Sequence, residues 1–168
     1  MNIKLRALEI NDLDWLFSIE NNQNLWKYSN TTSPYSKDTL KQYILNSHRD
    51  IFEMKQLRLV VCSDNINSIG LIDLFDFRPE HRRVGVGLII DEKYQNKGIA
   101  KKALELIEKW SIEKLQIHQL FSFIAEENHI SRKLFKSKGY LEIGCKIDWN
   151  FYNGRYNNEV TLQKILNE

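Results

Sequence analysis

The chain has 168 residues with 42% hydrophobic and 27% charged content, a composition that suits one soluble globular domain over residues 1–168 with a sizeable core. Its net charge of +2 is too small to imply nucleic acid as a partner, and no apolar run approaches the ~20 residues of a membrane span. The opening MNIKLRALEINDLDWL lacks the apolar core of a signal peptide. Cys62 and Cys145 each lie in a strand-like run, so the expectation is a cytoplasmic protein with two buried thiols and no disulfide. His48, His81, His118 and His129 show no metal-ligand spacing with either cysteine, and no metal is expected.

Ile3 to Leu8 alternates and reads as a first strand, with Ile3 and Leu5 on one face. Asn11 caps a helix expected from Asp12 to about Asn22, with Asp12 and Asp14 at its positive end and Leu13, Leu16, Phe17 and Glu20 along its stripe. Asn21 to Ser33 is polar and aromatic with no clean period; by sequence alone Trp26, Tyr28 and Tyr35 are as readily core aromatics as exposed ones. Pro34 marks a break, and Ser36 caps a helix from Lys37 to about Arg49, with Leu40, Tyr43, Ile44 and Ser47 on one face. Gln56 to Ser63 is a strand, Asp64 to Asn67 a turn, and Ser68 to Phe77 a second strand. Pro79 to Arg83 forms a solvated basic loop before a third antiparallel strand, Val84 to Ile90. Gly85 and Gly87 in its interior leave a bulge and an ordinary strand both open.

Ala100 to Lys114 is the clearest helix, with Ala103, Leu104, Ile107, Trp110 and Ser111 inward. His118 to Ala125 is a strand, and Ile130 to Lys138 a short helix with Leu134 and Phe135 inward, ended by Gly139. Tyr140 to Tyr152 and Arg155 to Leu166 are strands joined at Asn153-Gly154, the strongest hairpin sequence in the chain. This order describes an α+β fold. Its sheet is mixed and mostly antiparallel, with about seven strands flanked by helices, and has one parallel pair where the long helix crosses.

One stretch carries chemistry. Leu88, Ile89 and Ile90 end a strand, Asp91 to Asn96 turn, and a helix starts near Lys97. The first amides of a helix have no partner within it, and the dipole adds positive charge there. Gly98 admits a ligand to the backbone, Ala100 is nearly as small, and Lys97 and Lys101 add charge. Together with Gln95, Asn96 and Ile99 they make a candidate pyrophosphate cradle. Neither G-x-x-x-x-G-K-[ST] nor G-x-G-x-x-G is present.

Gln95-x-x-Gly98-x-Ala100 after an apolar strand resembles the Q/R-x-x-G-x-G/A signature of GNAT N-acetyltransferases. Asn128-His129-Ile130-Ser131 followed by LFKSKGY resembles that family's N-x-x-[SA] and L-Y-x-x-x-G-F segment. RALEINDL, NNQNLWKY and FYNGRYNNEV are similar to the branch holding spermidine and ribosomal-protein N-acetyltransferases, and the likeness covers nearly the whole chain. It implies a GNAT fold and direct transfer of acetyl from acetyl-CoA to a primary amine, as a small amine, a polyamine or a protein N-terminus. It also implies a backbone N–H among Leu88, Ile89 and Ile90 as oxyanion donor, Asn128 on the pantetheine amides, and Phe135 beside the cofactor. A homo-oligomer, a dimer in the simplest case, is expected with it.

Three positions depart from the pattern. Phe135 replaces the tyrosine that usually donates a proton, Gly85 stands where the spermidine enzymes carry glutamate, and Thr32 and Ser33 replace acidic residues before Pro34. A thiolate with a reference pKa near ~8.5 can leave with little acid help, which makes Phe135 tolerable. Asp73 is the expected carboxylate for amine binding or base duty, with a solvated strand carboxylate as the alternative. Asp73 and Asp76 would face opposite sides of a regular strand. Ser131, one helical turn from Phe135, is the candidate acid, with an ordinary first-turn serine as its alternative. A chain that binds acetyl-CoA with little turnover, as a sensor or interaction module, is the alternative function.

Overall fold

The computed structural model describes residues 1–166. Its strands are β1 (Ile3–Ala7), β2 (Leu57–Ser63), β3 (Ile66–Arg78), β4 (Arg83–Ile90), β5 (Gln119–Ala125), β6 (Leu141–Tyr152) and β7 (Arg155–Ile165). They form one sheet in the order β1-β2-β3-β4-β5-β7-β6. Every neighbouring pair is antiparallel except β4–β5, which is parallel and bridged by α5 (Ile99–Leu115). The other helices are α1 (Leu13–Glu20), α2 (Gln23–Ser29), α3 (Lys37–Asn46), α4 (Ile51–Met54) and α6 (His129–Ser137).

Strand alternation sends side chains to the two faces in turn, and each face has its own core. On one, Val84, Val86 and Ile90 of β4 pack with Ala103, Leu104 and Ile107 of α5 and with Phe135. On the other, Val60 and Leu71 pack with Leu16 and Ile19 of α1 and Leu40 and Ile44 of α3.

The feature that positions the site is the brevity of the β4–β5 pairing. It runs only from Arg83↔Gln119 to Gly85↔Phe121, after which the two strands diverge. Phe75 of β3 lies over Gly85, where an added Cβ would stand 2.3 Å from its ring. Phe75 also meets Phe121 edge-on, ring centroids 5.7 Å apart, and lies 6.0 Å from Phe123. Three aromatic rings thus fill the vertex of the splay. A glutamate at position 85 would have to displace one of them.

Several expectations are corrected. The β3–β4 ladder is unbroken from Gly70↔Ile90 to Phe75↔Gly85, so neither Gly85 nor Gly87 marks a bulge. The irregularity falls between Phe75 and Arg78, where Asp76 takes a left-handed φ of 46°. The first helix begins at Leu13 after a short turn, Ile10–Asp12, because the Asp12 side chain accepts from Arg6 at 2.7 Å and from the Glu9 amide at 2.9 Å. Within Asn21 to Ser33 the chain forms α2, capped by the Asn22 side chain on the Asn24 amide at 3.1 Å. It buries no residue and so leaves no apolar period to read. The third helix stops at Asn46, and α4 follows, capped by Asp50. Cys62 is buried as expected but Cys145 is exposed, since β6 is an edge strand.

Candidate active site

Gly98 is the N-cap of α5 with φ 75°, a conformation that favours glycine. The Lys102 amide donates to the Gly98 carbonyl at 3.2 Å, so the amides of Ile99, Ala100 and Lys101 precede the helical ladder. A Cβ on Gly98 would meet nothing within 4 Å, so the backbone beside those amides is open. Asn96 is also left-handed, at φ 59°, and bends the loop toward the helix. Gln95 Nε2 donates to the Ile90 carbonyl at 2.9 Å and ties the loop to β4. Lys97 Nζ turns back to the Lys93 carbonyl at 2.9 Å, while Lys101 is exposed. Ile99 anchors the helix with a side chain only 4% exposed and offers the ligand its amide alone. The cradle therefore rests on backbone dipoles more than on ammonium groups.

Beyond Gly85, β4 has a partner on one edge only. The Asp91 amide donates to the Ile69 carbonyl at 2.9 Å, which fixes the phase of the antiparallel ladder. Alternation then directs the N–H and C=O of Gly87 and Ile89 toward β3, and those of Leu88 and Ile90 into the splay, where the Ile90 carbonyl is already taken by Gln95. On β5 the Glu126 amide donates to the Asn158 carbonyl at 3.0 Å, which fixes the phase there and turns the backbone of Phe123 into the same gap. Among Leu88, Ile89 and Ile90, only the N–H groups of Leu88 and Ile90 face the gap. Two facing strand edges with open backbone groups suit an extended chain bearing amides.

On the face shared with α1 and α3, Arg58 of β2 is clamped between two acids. Its Nε and Nη2 donate to Asp73 at 2.6 and 2.9 Å, and its Nη1 donates to Glu20. Burial pulls the Arg58 pKa down, but the charge and hydrogen bonds of Asp73, with Glu20, outweigh it and raise the pKa. Asp73 stands opposite Gly87, whose missing side chain leaves free space within 4 Å. Asp73 thus lies on the strand beside β4, with its charge shared with an arginine. Asp76 is exposed and bonds Arg78 at 2.8 Å, away from the cleft. Across the vertex, Phe123, Lys146, Trp149 and the buried Glu159 line the opposite wall.

The residues of α6 take mostly structural positions. Asn128 is its N-cap, accepting from the Ser131 amide at 3.1 Å, so only its amide nitrogen is left to donate to a ligand. Ser131 is half-buried in the first turn. Phe135 is 3% exposed and packs edge-on against Tyr140 with centroids 4.9 Å apart. Tyr140 is core, and burial followed by the nearby Glu108 charge raises its pKa. Trp26 is half-buried and donates to the Glu20 carbonyl at 2.8 Å, while Tyr28 and Tyr35 are exposed, so none of the three is a core aromatic.

The structure sets Asp73 opposite Gly87, next to Leu88, Ile89 and Ile90 on β4, and the residues from Gln95 to Lys101 lead from the end of that strand into α5. Sequence reading missed Arg58, Phe75, Phe123, Lys146 and Glu159. A lone charge inside the apolar run QLRLVVC was the available clue to Arg58. Nothing local pointed to the others, because their meeting depends on strand order.

The family model described as an acetyltransferase (GNAT) domain matches residues 2–140. The spermidine N(1)-acetyltransferase of Vibrio cholerae is 31% identical over 154 residues, covering 92% of this chain and 87% of that protein. A putative ribosomal N-acetyltransferase of Bacillus subtilis is 26% identical, covering 99% of this chain and 93% of that protein. The crystal structure of the Vibrio cholerae spermidine N-acetyltransferase in complex with CoA and spermine superposes with a TM-score of 0.88 at 28% identity, over 97% of this chain and 95% of that one. Family model, relatives and fold agree, and the chain belongs to the GNAT family as an acetyl-CoA-dependent N-acetyltransferase.

Proposed function

We propose that acetyl-CoA lies in the β4–β5 splay with its diphosphate on the amides of Ile99, Ala100 and Lys101, and that a primary amine reaches the thioester over Gly87. The observation that carries this reading is the divergence of β4 from β5 after Gly85, which leaves the Leu88 and Ile90 amides open beside the vacant face of Gly87. Either amide can donate to the thioester oxygen as it gains charge, a contribution typically worth ~2.7–4 kcal/mol. An aliphatic ammonium with a pKa near ~10.4 must lose a proton first. Asp73, already bonded to Arg58, holds the ammonium, and water carries the proton out to bulk solvent. The thiolate leaves without a side-chain acid at position 135.

The relatives named for spermidine put polyamines among the acceptors to test. Within the cleft, three carboxylates (Glu20, Asp73 and Glu159) are met by two internal cations, Arg58 and Lys146. One net negative charge suits one ammonium. A mono-amine or peptide N-terminus is therefore turned over at least as well as spermidine. A homo-oligomer fits the exposed Leu141, Ile143, Ile147 and Phe151 along edge strand β6, and a cytoplasmic setting fits the co-substrate.

The test is kcat/KM for mono-amines, short peptides and spermidine in the wild type and in Asp73→Asn. The reading expects Asp73→Asn to raise KM for the amine several-fold more than KM for acetyl-CoA. A strong preference for spermidine that ignores Asp73 would overturn the acceptor assignment.

A further inference from the structure

Lys146 of β6 is placed as a bound ligand would be. Its ammonium lies 2.9 Å from Glu159 Oε1, 3.9 Å from the centroid of the Phe123 ring and 4.6 Å from that of Trp149. Asn150 donates to the other oxygen of Glu159 at 3.2 Å. Glu159 is only 6% exposed, so its charge has little water around it and depends on these partners. A buried carboxylate below and two ring faces beside it are the components of a seat for an aliphatic ammonium. The seat belongs to the acceptor cleft. Phe123 packs on Phe75 at the vertex, and Phe75 is two residues along β3 from Asp73.

We propose that Lys146 is a specificity-determining residue whose ammonium fills the seat that the second ammonium of a diamine or polyamine would otherwise take. The inference rests on the amine-acceptor reading above and deepens it. An acceptor with one ammonium needs only the Asp73 side of the cleft. An acceptor with two must either expel Lys146 from its seat or leave its second charge without an anion. Removing the tethered cation while keeping Glu159, Phe123 and Trp149 opens the seat to substrate.

The experiment compares putrescine with butylamine, two acceptors that differ by one ammonium, in the wild type, Lys146→Met, Lys146→Gln, Lys146→Arg and Lys146→Met with Glu159→Gln. Binding is read by calorimetry with CoA saturating, and turnover as kcat/KM. In both neutral single variants the preference for putrescine over butylamine should rise about tenfold, through Kd and KM, the range of a desolvated cation–π contact with a charged hydrogen bond. Lys146→Arg should keep the wild-type ratio, and the double variant should lose the gain because its seat is uncharged. Lys146→Gln retains a donor toward Glu159 and guards against a Met variant that does not fold. An unchanged ratio in both neutral variants, or the same gain in the double variant, would overturn the proposal. A wild type that acetylates neither amine would contradict the acceptor reading instead, and the calorimetric ratio would still decide the role of Lys146.

Discussion

Gly98 carries two demands that one substitution can separate. Its φ of 75° needs a residue tolerant of the left-handed region, and the open space beside it needs to stay empty. Valine would violate both, so loss of binding in that variant would mix backbone strain with obstruction. Asparagine tolerates the conformation, as Asn96 does two residues earlier, and fills the space. Gly98→Asn is expected to weaken CoA binding at least about tenfold by calorimetry while the melting temperature stays near that of the wild type; unchanged affinity would remove the diphosphate from this cradle. Phe135 poses the opposite question, since chemistry proceeds without a phenol there. Phe135→Tyr is expected to leave kcat unchanged or raised, by the ~10²–10⁴-fold of a general acid only where protonation limits the rate. A large fall in kcat in a folded variant that still binds CoA would assign Phe135 a packing role against Tyr140 that the hydroxyl disturbs.

Among the elements, the vertex of β3, β4 and β5 decides whether there is a gap at all. An alanine at position 85 would place its Cβ 2.3 Å from the Phe75 ring. Gly85→Ala should cost ~1–3 kcal/mol as overpacking, measured by urea unfolding, and Phe75→Leu in the same chain should recover part of that loss. Full additivity of the two changes would show that they do not share the space. The junction of α6 with β6 offers a test by pH. Hydrogen bonds from Arg132 first, then Lys136, hold the Glu142 carboxyl at about 2, below its ordinary 4.5. A depressed carboxyl stabilises the folded chain fully above about 4.5, and that contribution is lost as the pH falls toward about 2. Glu142→Gln should thus lower the melting temperature slightly at neutral pH and flatten its decline across that acid window. An unaltered slope would mean that the tie to Arg132, at 2.8 Å, does not persist in solution. Elements of this kind were unevenly legible in the sequence. The Asn153-Gly154 hairpin was readable because both residues take positive φ, 51° and 77°, as the shortest hairpin turns require. Helix α5 was readable because one long face is buried. Helix α2 was not, because it is held by an Asn22 cap and buries nothing.

At the scale of the whole molecule, what the sequence concealed is mostly long-range. Gln95, Gly98 and Lys101 are neighbours in the chain, so the candidate cradle could be proposed from the sequence directly. Glu20, Arg58 and Asp73 come from α1, β2 and β3, and only the folded sheet clamps them together. Expected burial of Cys145 failed for the same reason, since the strand order β5-β7-β6 puts β6 at the edge. The central claim, that acetyl-CoA completes the gap between β4 and β5, is likewise a claim about distant segments meeting on one ligand. Residue-resolved amide hydrogen exchange with and without acetyl-CoA tests it most directly. Leu88, Ile90, Ile99, Ala100 and Lys101 should exchange markedly more slowly when acetyl-CoA is added, while Ile89, already in the ladder with Leu71, should change little. Protection that appears elsewhere and leaves Leu88, Ile90 and the start of α5 untouched would contradict the account.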